Sequence, residues 1–220
     1  RSVSHDLRAP LRRVAGLGGA LAQDYGDRLD ETGRNSLEAV RSEIRRMDEL
    51  IAALLQLSRV ARQDMERVPV DLTQLARETA DMLRRNEPAR RVEFTADDGL
   101  SAEGDPVLLR ALLQNLLENA WKFTAKREQA RIEFGAERRD GGTEFFVRDN
   151  GAGFDPEFAH KLFVPFRRLH HERDFPGHGV GLATVQRIVH RHGGRIRAES
   201  RVDNGAVFWF TLPADKELQP

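Results

Sequence analysis

The stretch Ser4-His5-Asp6-Leu7-Arg8-Ala9-Pro10-Leu11 decides how the beginning of this chain is organised. At about 100° per residue, a helix through it gathers apolar residues on one stripe: Val3, Leu7, Leu11, Val14, Gly18 and Leu21. His5 falls on the opposite side of that helix, beside Arg8 and Arg12. An exposed imidazole near charged groups titrates close to neutrality and can accept a transferred group. The alternative is a solvated surface histidine without a role.

A second helix is predicted after a turn near Gly26, with Asp30 or Thr32 as its cap. Its apolar residues alternate at spacings of three and four, which is a heptad seam: Leu37, Val40, Ile44, Met47, Ile51 and Leu54. Two antiparallel helices with such seams cannot close a core, so we expect a second copy to complete a four-helix bundle. The alternative is a hairpin that packs on the downstream domain of its own chain.

Composition excludes several classes of protein. The 220 residues include 35 basic and 35 acidic ones, so no net field favours nucleic acid or an anionic membrane. No cysteine is present, which excludes disulfides and thiolate metal sites and fits a cytoplasmic location. No apolar run approaches the roughly 20 residues that span a bilayer, so we expect no direct membrane contact. Because the histidine stretch lies at the very start, we expect an upstream portion of the protein that this sequence does not contain.

The pattern changes after residue 66 to alternating strands and helices. Strands are predicted over residues 67–70, 91–94, 130–138, 143–148, 195–201 and 206–212. Helices are predicted over residues 72–85, 107–123, 156–163 and 180–192. The chain is therefore predicted to be α+β, with an antiparallel helical hairpin over residues 1–66 and a two-layer α/β sandwich over residues 67–215.

The predicted helix over residues 107–123 combines an apolar stripe with a polar one. Asn115, Asn119 and Lys122 are separated by four and then three residues, so they share one face. Two side-chain amides and an ammonium group in this arrangement can bind a metal ion together with the phosphate groups that the ion coordinates. The alternative is a solvated helix face.

Two glycine-rich segments follow. Asp149-Asn150-Gly151-Ala152-Gly153 ends a strand, and its glycines let backbone pass close to a flat ligand while the carboxylate accepts from an amine. A hairpin turn is the alternative there. Gly177-His178-Gly179-Val180-Gly181-Leu182 opens a helix, whose free amides and positive dipole end attract phosphate.

The loop between the two glycine segments sets aromatic residues among basic ones: Phe163, Phe166, Arg167, Arg168, Leu169, His170 and His171. This pattern is typical of a lid that closes over a nucleotide. A metal site on His170 and His171 is the alternative, although sequence neighbours seldom ligate together and no carboxylate cluster accompanies them.

In their order and spacing, these segments resemble the H, N, G1, F and G2 boxes of two-component sensor histidine kinases. The boxes are the His5 segment, residues 115–124, 149–153, 163–166 and 177–181. The resemblance covers nearly the whole chain, and its details are most similar to the subgroup that follows phytochrome and PAS sensors. It implies the fold of the histidine kinase and Hsp90-like ATPases for the second domain.

The resemblance also implies roles, with ATP and Mg²⁺ as cofactors. His5 would accept the phosphoryl group and Asp6 would be its proton partner. Asn119 would coordinate Mg²⁺, Asn115 and Lys122 would contact the triphosphate, and Asp149 would recognise adenine. The remaining nucleotide-binding positions would be Phe123, Gly151, Gly153, Arg167, Gly177, His178, Gly179, Val180, Gly181 and Leu182. The implied partners are a second copy of the chain, through the hairpin, and the receiver domain of a response regulator.

Two other functions compete with a kinase. The first is an ATP hydrolase like Hsp90 or a mismatch-repair ATPase, but those families carry glutamate where this chain has Asn115, and an amide cannot act as a general base. The second is a dimerising scaffold with an inactive nucleotide pocket, although the expected contact residues are all present.

One position departs from the family. Four residues after the phosphoacceptor, many members carry Thr or Asn, which positions water for dephosphorylating the partner. Here the residue is Ala9, whose methyl group makes no hydrogen bond. We therefore predict weak phosphatase activity.

Overall fold

The computed structural model describes the backbone of residues 3–62, 65–139, 142–167 and 179–213. Within the two N-terminal helices it leaves the side chains of residues 3–8, 49, 53–54 and 56–62 undescribed. The chain divides into two compact units after Arg59. The boundary at residue 66 stays a prediction.

The N-terminal unit contains two helices. Helix α1 spans Val3–Tyr25 with Pro10 inside it, a 3-10 turn covers Gly26–Arg28, and α2 spans Glu31–Arg62. The Oδ1 atom of Asp30 accepts a hydrogen bond from the Gly33 amide at 2.7 Å, so the predicted cap at Asp30 is confirmed. The helical hairpin is present as predicted.

Within one chain, the apolar seams of the hairpin remain largely uncovered. Among its described side chains, only Gly18 and Ile44 are buried. Val14, Leu21 and Met47 each expose nearly half of their surface, and Leu17 exposes 71%. Such a face is unusual for an isolated soluble unit.

The second unit contains the predicted two layers. Three helices, α3 (Leu72–Asn86), α4 (Pro106–Phe123) and α5 (Gly181–Arg191), pack on a five-stranded sheet. Its strands are β2 (Val92–Ala96), β4 (Ala130–Arg139), β5 (Gly142–Asp149), β6 (Ile196–Ser200) and β7 (Ala206–Thr211), in the order β2-β4-β5-β7-β6. β2 pairs with β4 in parallel, and the other pairs are antiparallel. A separate antiparallel pair joins β1 (Val68–Asp71) to β3 (Ser101–Gly104).

Helix α4 is the centre of the core. Asp105 caps its first turn by accepting from the amides of Val107 and Leu108, and Pro106 occupies its first position. Its inner face is fully buried against the sheet through four leucines: Leu109, Leu112, Leu113 and Leu116. Because this face is held so tightly, the polar face of α4 is fixed in direction.

Two local predictions differ from the structure. The segment predicted as a helix over residues 156–163 is a 3-10 helix over Pro156–Lys161. The amides of Phe158 and Leu162 donate to the carbonyls three residues back, Asp155 and Ala159, which is the 3-10 pattern rather than the α-helical one. Strand β3 was missed because Ser101-Ala102-Glu103-Gly104 lacks β-branched and aromatic residues, and its pairing with β1 defines it.

Candidate nucleotide site

Asn115 and Gly181 belong to different motifs, and the structure brings them into contact. The side-chain amide of Asn115 donates to the Ala111 carbonyl at 2.7 Å, which fixes its orientation. A Cβ atom added at Gly181 would lie 2.7 Å from Asn115 Oδ1. Glycine is therefore needed where α5 begins, because any side chain there would collide with the polar face of α4.

Asn119 and Lys122 continue the same face of α4 toward its C-terminal end. Both side chains are half-buried. The Lys122 ammonium lies 4.3 Å from the centre of the Phe123 ring, a cation–π contact that holds the charge at the end of the helix. The predicted alignment of Asn115, Asn119 and Lys122 along one helix is confirmed.

Asp149 ends β5 as a buried carboxylate with only 7% of its surface exposed. Its Oδ1 atom accepts from the Gly151 amide at 2.8 Å. Burial raises the pKa of Asp149 to about 6, while backbone donors at Gly151 and Ala206 and the nearby Arg127 charge oppose the rise. A carboxylate has about four acceptor positions, so this side chain retains capacity for a ligand donor.

The loop after Asp149 lies directly on the end of α4. The Ala152 amide donates to the Phe123 carbonyl at 3.0 Å, and a Cβ atom at Gly151 would be 2.6 Å from that same oxygen. Gly153 has a φ of +63°, and a side chain there would overlap the Arg201 carbonyl. The glycines of this segment therefore allow a close approach between backbones, as its sequence indicated.

A backbone hydrogen bond joins the end of the predicted F segment to the second glycine segment. The Phe166 amide donates to the Gly179 carbonyl at 2.9 Å, and Gly179 has a φ of +69°. Val180 is buried, Leu182 packs against the core, and Arg167 is exposed.

Several predicted site residues fall outside the described part of the chain. The backbones of His5 and Asp6 lie on α1, but their side chains are not described. Gly177 and His178 lie outside the described residues, as do Arg168, Leu169, His170 and His171. Their roles stay predictions.

Sequence reasoning missed Arg127, which follows α4 in the loop before β4. Its guanidinium donates to the carbonyls of Gly151 and Asp203, at 2.9 and 2.6 Å. Asp203 is more than 70 residues away in the sequence. No local sequence pattern predicts a contact between residues so far apart in the chain.

Other features of the described residues offer no competing site. No group of three or more His, Asp or Glu side chains among them could hold a metal ion. A groove of about 620 Å³ includes Asp149 itself in its lining, and its other charged residues include the pairs Arg131–Glu93 and Arg148–Glu133. In the described part of the chain, no helix is both long and apolar enough to cross a membrane.

Comparison with known families agrees with this geometry. Residues 104–216 match the family described as histidine kinase-, DNA gyrase B-, and HSP90-like ATPase. Residues 1–63 match the His Kinase A (phospho-acceptor) domain. The second unit thus has the fold of that ATPase class. With both domains in this order, the chain belongs to the two-component sensor histidine kinases.

Individual relatives extend over almost the whole chain. Cyanobacterial phytochrome A of Nostoc sp. (strain PCC 7120 / SAG 25.82 / UTEX 2576) is 35% identical over 96% of this chain and 27% of its own length. Sensor histidine kinase TrcS of Mycobacterium tuberculosis (strain ATCC 25618 / H37Rv) is 36% identical over 96% of this chain and 42% of its own length.

A solved structure agrees as well. Full-length ShkA in complex with AMPPNP is 28% identical, with a TM-score of 0.66 over 94% of this chain and 44% of that one. The chain therefore spans between about a quarter and a half of the length of these relatives.

Proposed function

We propose that this chain is the catalytic core of a sensor histidine kinase, which transfers the γ-phosphoryl group of ATP to His5. The observation that carries the proposal is the meeting of three separate motifs around α4. Gly181 lies against Asn115, Gly151 lies against the Phe123 carbonyl, and both contacts leave no room for a Cβ atom. Close backbone approaches of this kind suit a site that holds a nucleotide by its base and its phosphates.

The residues present fit ATP at both of its ends. Asp149 is buried and retains acceptor capacity, which suits the exocyclic amine of adenine. Asn115 and Lys122 would contact the triphosphate, together with the backbone amides of the segment from Gly177 to Gly181. ShkA, whose solved structure contains AMPPNP, supports a nucleotide at this fold.

The donor set also fits magnesium held mainly by the nucleotide. The described residues include no acidic cluster, and Mg²⁺ commonly binds through few protein ligands plus substrate phosphates. The amide oxygen of Asn119 would supply the protein ligand. When bound, the ion would neutralise charge on the phosphate oxygens.

The reaction is an in-line displacement. A nitrogen of the His5 imidazole attacks the γ-phosphorus, the bond to the bridging oxygen breaks, and ADP leaves. Asp6 would orient the ring and take part in its proton transfer, while Lys122 offsets phosphate charge. Catalysis of this kind depends on positioning and electrostatics rather than on covalent chemistry by the pocket.

A hydrolase is the weaker alternative because of Asn115. Its amide donates to the Ala111 carbonyl and has no basic atom with which to remove a proton from water. The scaffold alternative predicts no turnover, so the same experiment excludes or establishes it.

We further propose that the chain forms a homodimer through its hairpin and passes the phosphoryl group to an aspartate of a response regulator. The exposed seam of Val14, Leu17, Leu21 and Met47 supports the dimer. The same proposal includes three further points: membership of the subgroup that follows phytochrome and PAS sensors, an upstream sensor domain, and a cytoplasmic location.

Incubation with γ-labelled ATP and Mg²⁺ tests this function. Wild type should acquire acid-labile, alkali-stable label. The His5→Ala variant should bind ATP normally and take up no label. The Asn119→Ala variant should also take up no label, because its nucleotide site is impaired. A matched control is Gln114→Ala, whose side chain bonds Glu118 on the exposed side of α4. Label retained without His5, or no ATP binding by wild type, would refute the proposal.

A further inference from the structure

Arg127 joins two loops that the chain order keeps apart. A single guanidinium nitrogen, Nη2, donates to the Gly151 carbonyl at 2.9 Å and to the Asp203 carbonyl at 2.6 Å. A terminal guanidinium nitrogen carries two hydrogens, so it can serve both acceptors at once. The loop that follows Asp149 is thereby tied to the β6–β7 turn.

A second link closes this connection. The Asp203 amide donates to the Ala152 carbonyl at 2.7 Å, and Asp203 holds a φ of +61°, which is uncommon for a residue with a side chain. Gly205, in the same turn, approaches the Asp149 carbonyl so closely that a Cβ atom would overlap it. The turn, the loop and Arg127 therefore form one connected unit beneath Asp149.

Arg127 also acts on Asp149 electrostatically. Burial raises the pKa of Asp149 to about 6, and the positive charge of Arg127 is among the groups that oppose this rise. The paired neighbours of Asp149 on adjacent strands, Ile132 and Ala206, carry no charge. Of the nearby charged residues, Arg131 and Arg148 are paired with glutamates, and Asp203 lies 3.9 Å from Arg127 itself.

The other charged residues that line the groove shared with Asp149 are Glu93, Glu133, Glu199 and Arg201. Among the groups that lower the pKa of Asp149, Arg127 is the charged one, and its effect is smaller than those of the backbone donors at Gly151 and Ala206. A single residue, Gly151, links the two side chains, because its carbonyl accepts from Arg127 and its amide donates to Asp149.

We propose that Arg127 is a positioning residue for adenine recognition, which ties the loop after Asp149 to the β6–β7 turn and places a positive charge near the Asp149 carboxylate. The inference rests on the proposed function, because it assumes that Asp149 accepts from the adenine amine. An ionised carboxylate is the stronger acceptor, so affinity for adenine nucleotides follows its ionisation.

Two substitutions separate the two contributions of Arg127. Arg127→Lys keeps the positive charge but loses the planar geometry that reaches two carbonyls. Arg127→Gln keeps a polar donor and loses the charge. Without the positive charge of Arg127, the effect of burial on the pKa of Asp149 is opposed less. The pKa of Asp149 therefore rises, and nucleotide binding requires a higher pH.

The experiment is a titration of the full chain with Mg²⁺ and AMPPNP between about pH 5 and pH 8. Arg127→Gln should weaken binding roughly tenfold near neutral pH, and the pH midpoint of its binding should move upward. Arg127→Lys should weaken binding less and keep the wild-type midpoint. Titration of the nucleotide phosphates is common to all variants and cancels in the comparison.

Arg77→Gln is the matched control, because it removes an exposed arginine of α3 that pairs with Asp98. It should bind as wild type does. If Arg127→Gln behaves like this control, the inference is overturned. A loss of affinity that is equal in the Lys and Gln variants, with no shift of midpoint, also overturns it, because the arginine would then only support the loop.

The Asp149→Asn variant tells this failure apart from failure of the proposed function. If Asp149→Asn binds AMPPNP as well as wild type, the assignment of Asp149 to adenine is wrong. If Asp149→Asn loses affinity while Arg127→Gln does not, only the role of Arg127 is wrong.

Discussion

The hairpin and the α/β unit bury their apolar residues very differently. In the α/β unit, Leu109, Leu112 and Phe134 are completely buried. In the hairpin, Val14 and Val40 expose 47% and 50% of their surface, although both belong to its regular apolar patterns. The α/β unit therefore covers its apolar residues within one chain, whereas the described part of the hairpin leaves many of its apolar side chains exposed to water, where they contribute little to stability.

The difference in burial agrees with the different functions proposed for the two units. A nucleotide site depends on fixed backbone contacts such as Gly181 against Asn115, which a filled core supplies. His5, the proposed phosphoacceptor, lies instead on a helix whose neighbours we expect another copy of the chain to provide. Each of the following predictions tests one side of this contrast.

The largest effect is expected in the core of the α/β unit. Leu112→Ala should lower its free energy of unfolding by about 2–5 kcal/mol, because it removes buried methyl groups and leaves a cavity. Tryptophan fluorescence during denaturation measures this unit alone, because Trp121 and Trp209, the only tryptophans in the sequence, both lie in it. The control Val107→Ala, at an exposed position of α4, should change it by less than about 0.5 kcal/mol. An equal loss of unfolding free energy in Leu112→Ala and Val107→Ala would contradict a tightly packed core in the α/β unit.

Asp149→Asn should stabilise the α/β unit at pH 7.5 while it weakens nucleotide binding. The pKa of Asp149 is about 6 when folded and near 3.8 otherwise, so the free energy of unfolding falls as pH rises between these values. Above this window, the ionised carboxylate costs about 3 kcal/mol, which the amide removes.

Thermal unfolding followed by tryptophan fluorescence should therefore show a higher midpoint for Asp149→Asn at pH 7.5, and little difference near pH 4. The control is Asp98→Asn, where an exposed carboxylate is replaced. A lower midpoint for Asp149→Asn at pH 7.5 would mean that Asp149 carries no such cost.

On the hairpin side, Leu17→Glu should weaken dimerisation and leave the α/β unit unchanged. Burying an apolar side chain contributes about 1.5–3 kcal/mol, and the change occurs in both copies. Sedimentation at a series of concentrations would show a higher dissociation constant for the dimer. Gly16→Glu is the control, placed where an added Cβ atom would meet no neighbour within 4 Å. If the wild-type chain stays monomeric at high concentration, the proposed homodimer is contradicted.

The smallest effect is expected at Ala9, one turn from His5 on α1. Ala9→Thr supplies a hydroxyl that can hydrogen-bond water, so dephosphorylation of a phosphorylated receiver domain should increase modestly. The measurement compares this variant with wild type on the same substrate. Strong phosphatase activity of wild type that persists in His5→Ala would contradict the prediction.

The sequence predicted most of the elements because their signals are local. Asp30 predicted the start of α2, and the spacing of Asn115 and Asn119 placed both on one face of α4. β3 was not predicted, because its pairing with β1 across some 30 residues defines it. Arg127 was missed for the same reason: its acceptors lie on two distant loops, and only the folded chain brings them together.

Locating the phosphate on the full chain tests the central claim most directly. After incubation with ATP and Mg²⁺, digestion under alkaline conditions and mass spectrometry should place the phosphate on His5. The sequence offers six other histidines, including His178 within the second glycine segment. Phosphate on His5 alone, absent from Asn119→Ala, is the predicted result. Phosphate on His178 or another histidine, with His5 unmodified, would contradict the division between a donor unit and an acceptor hairpin.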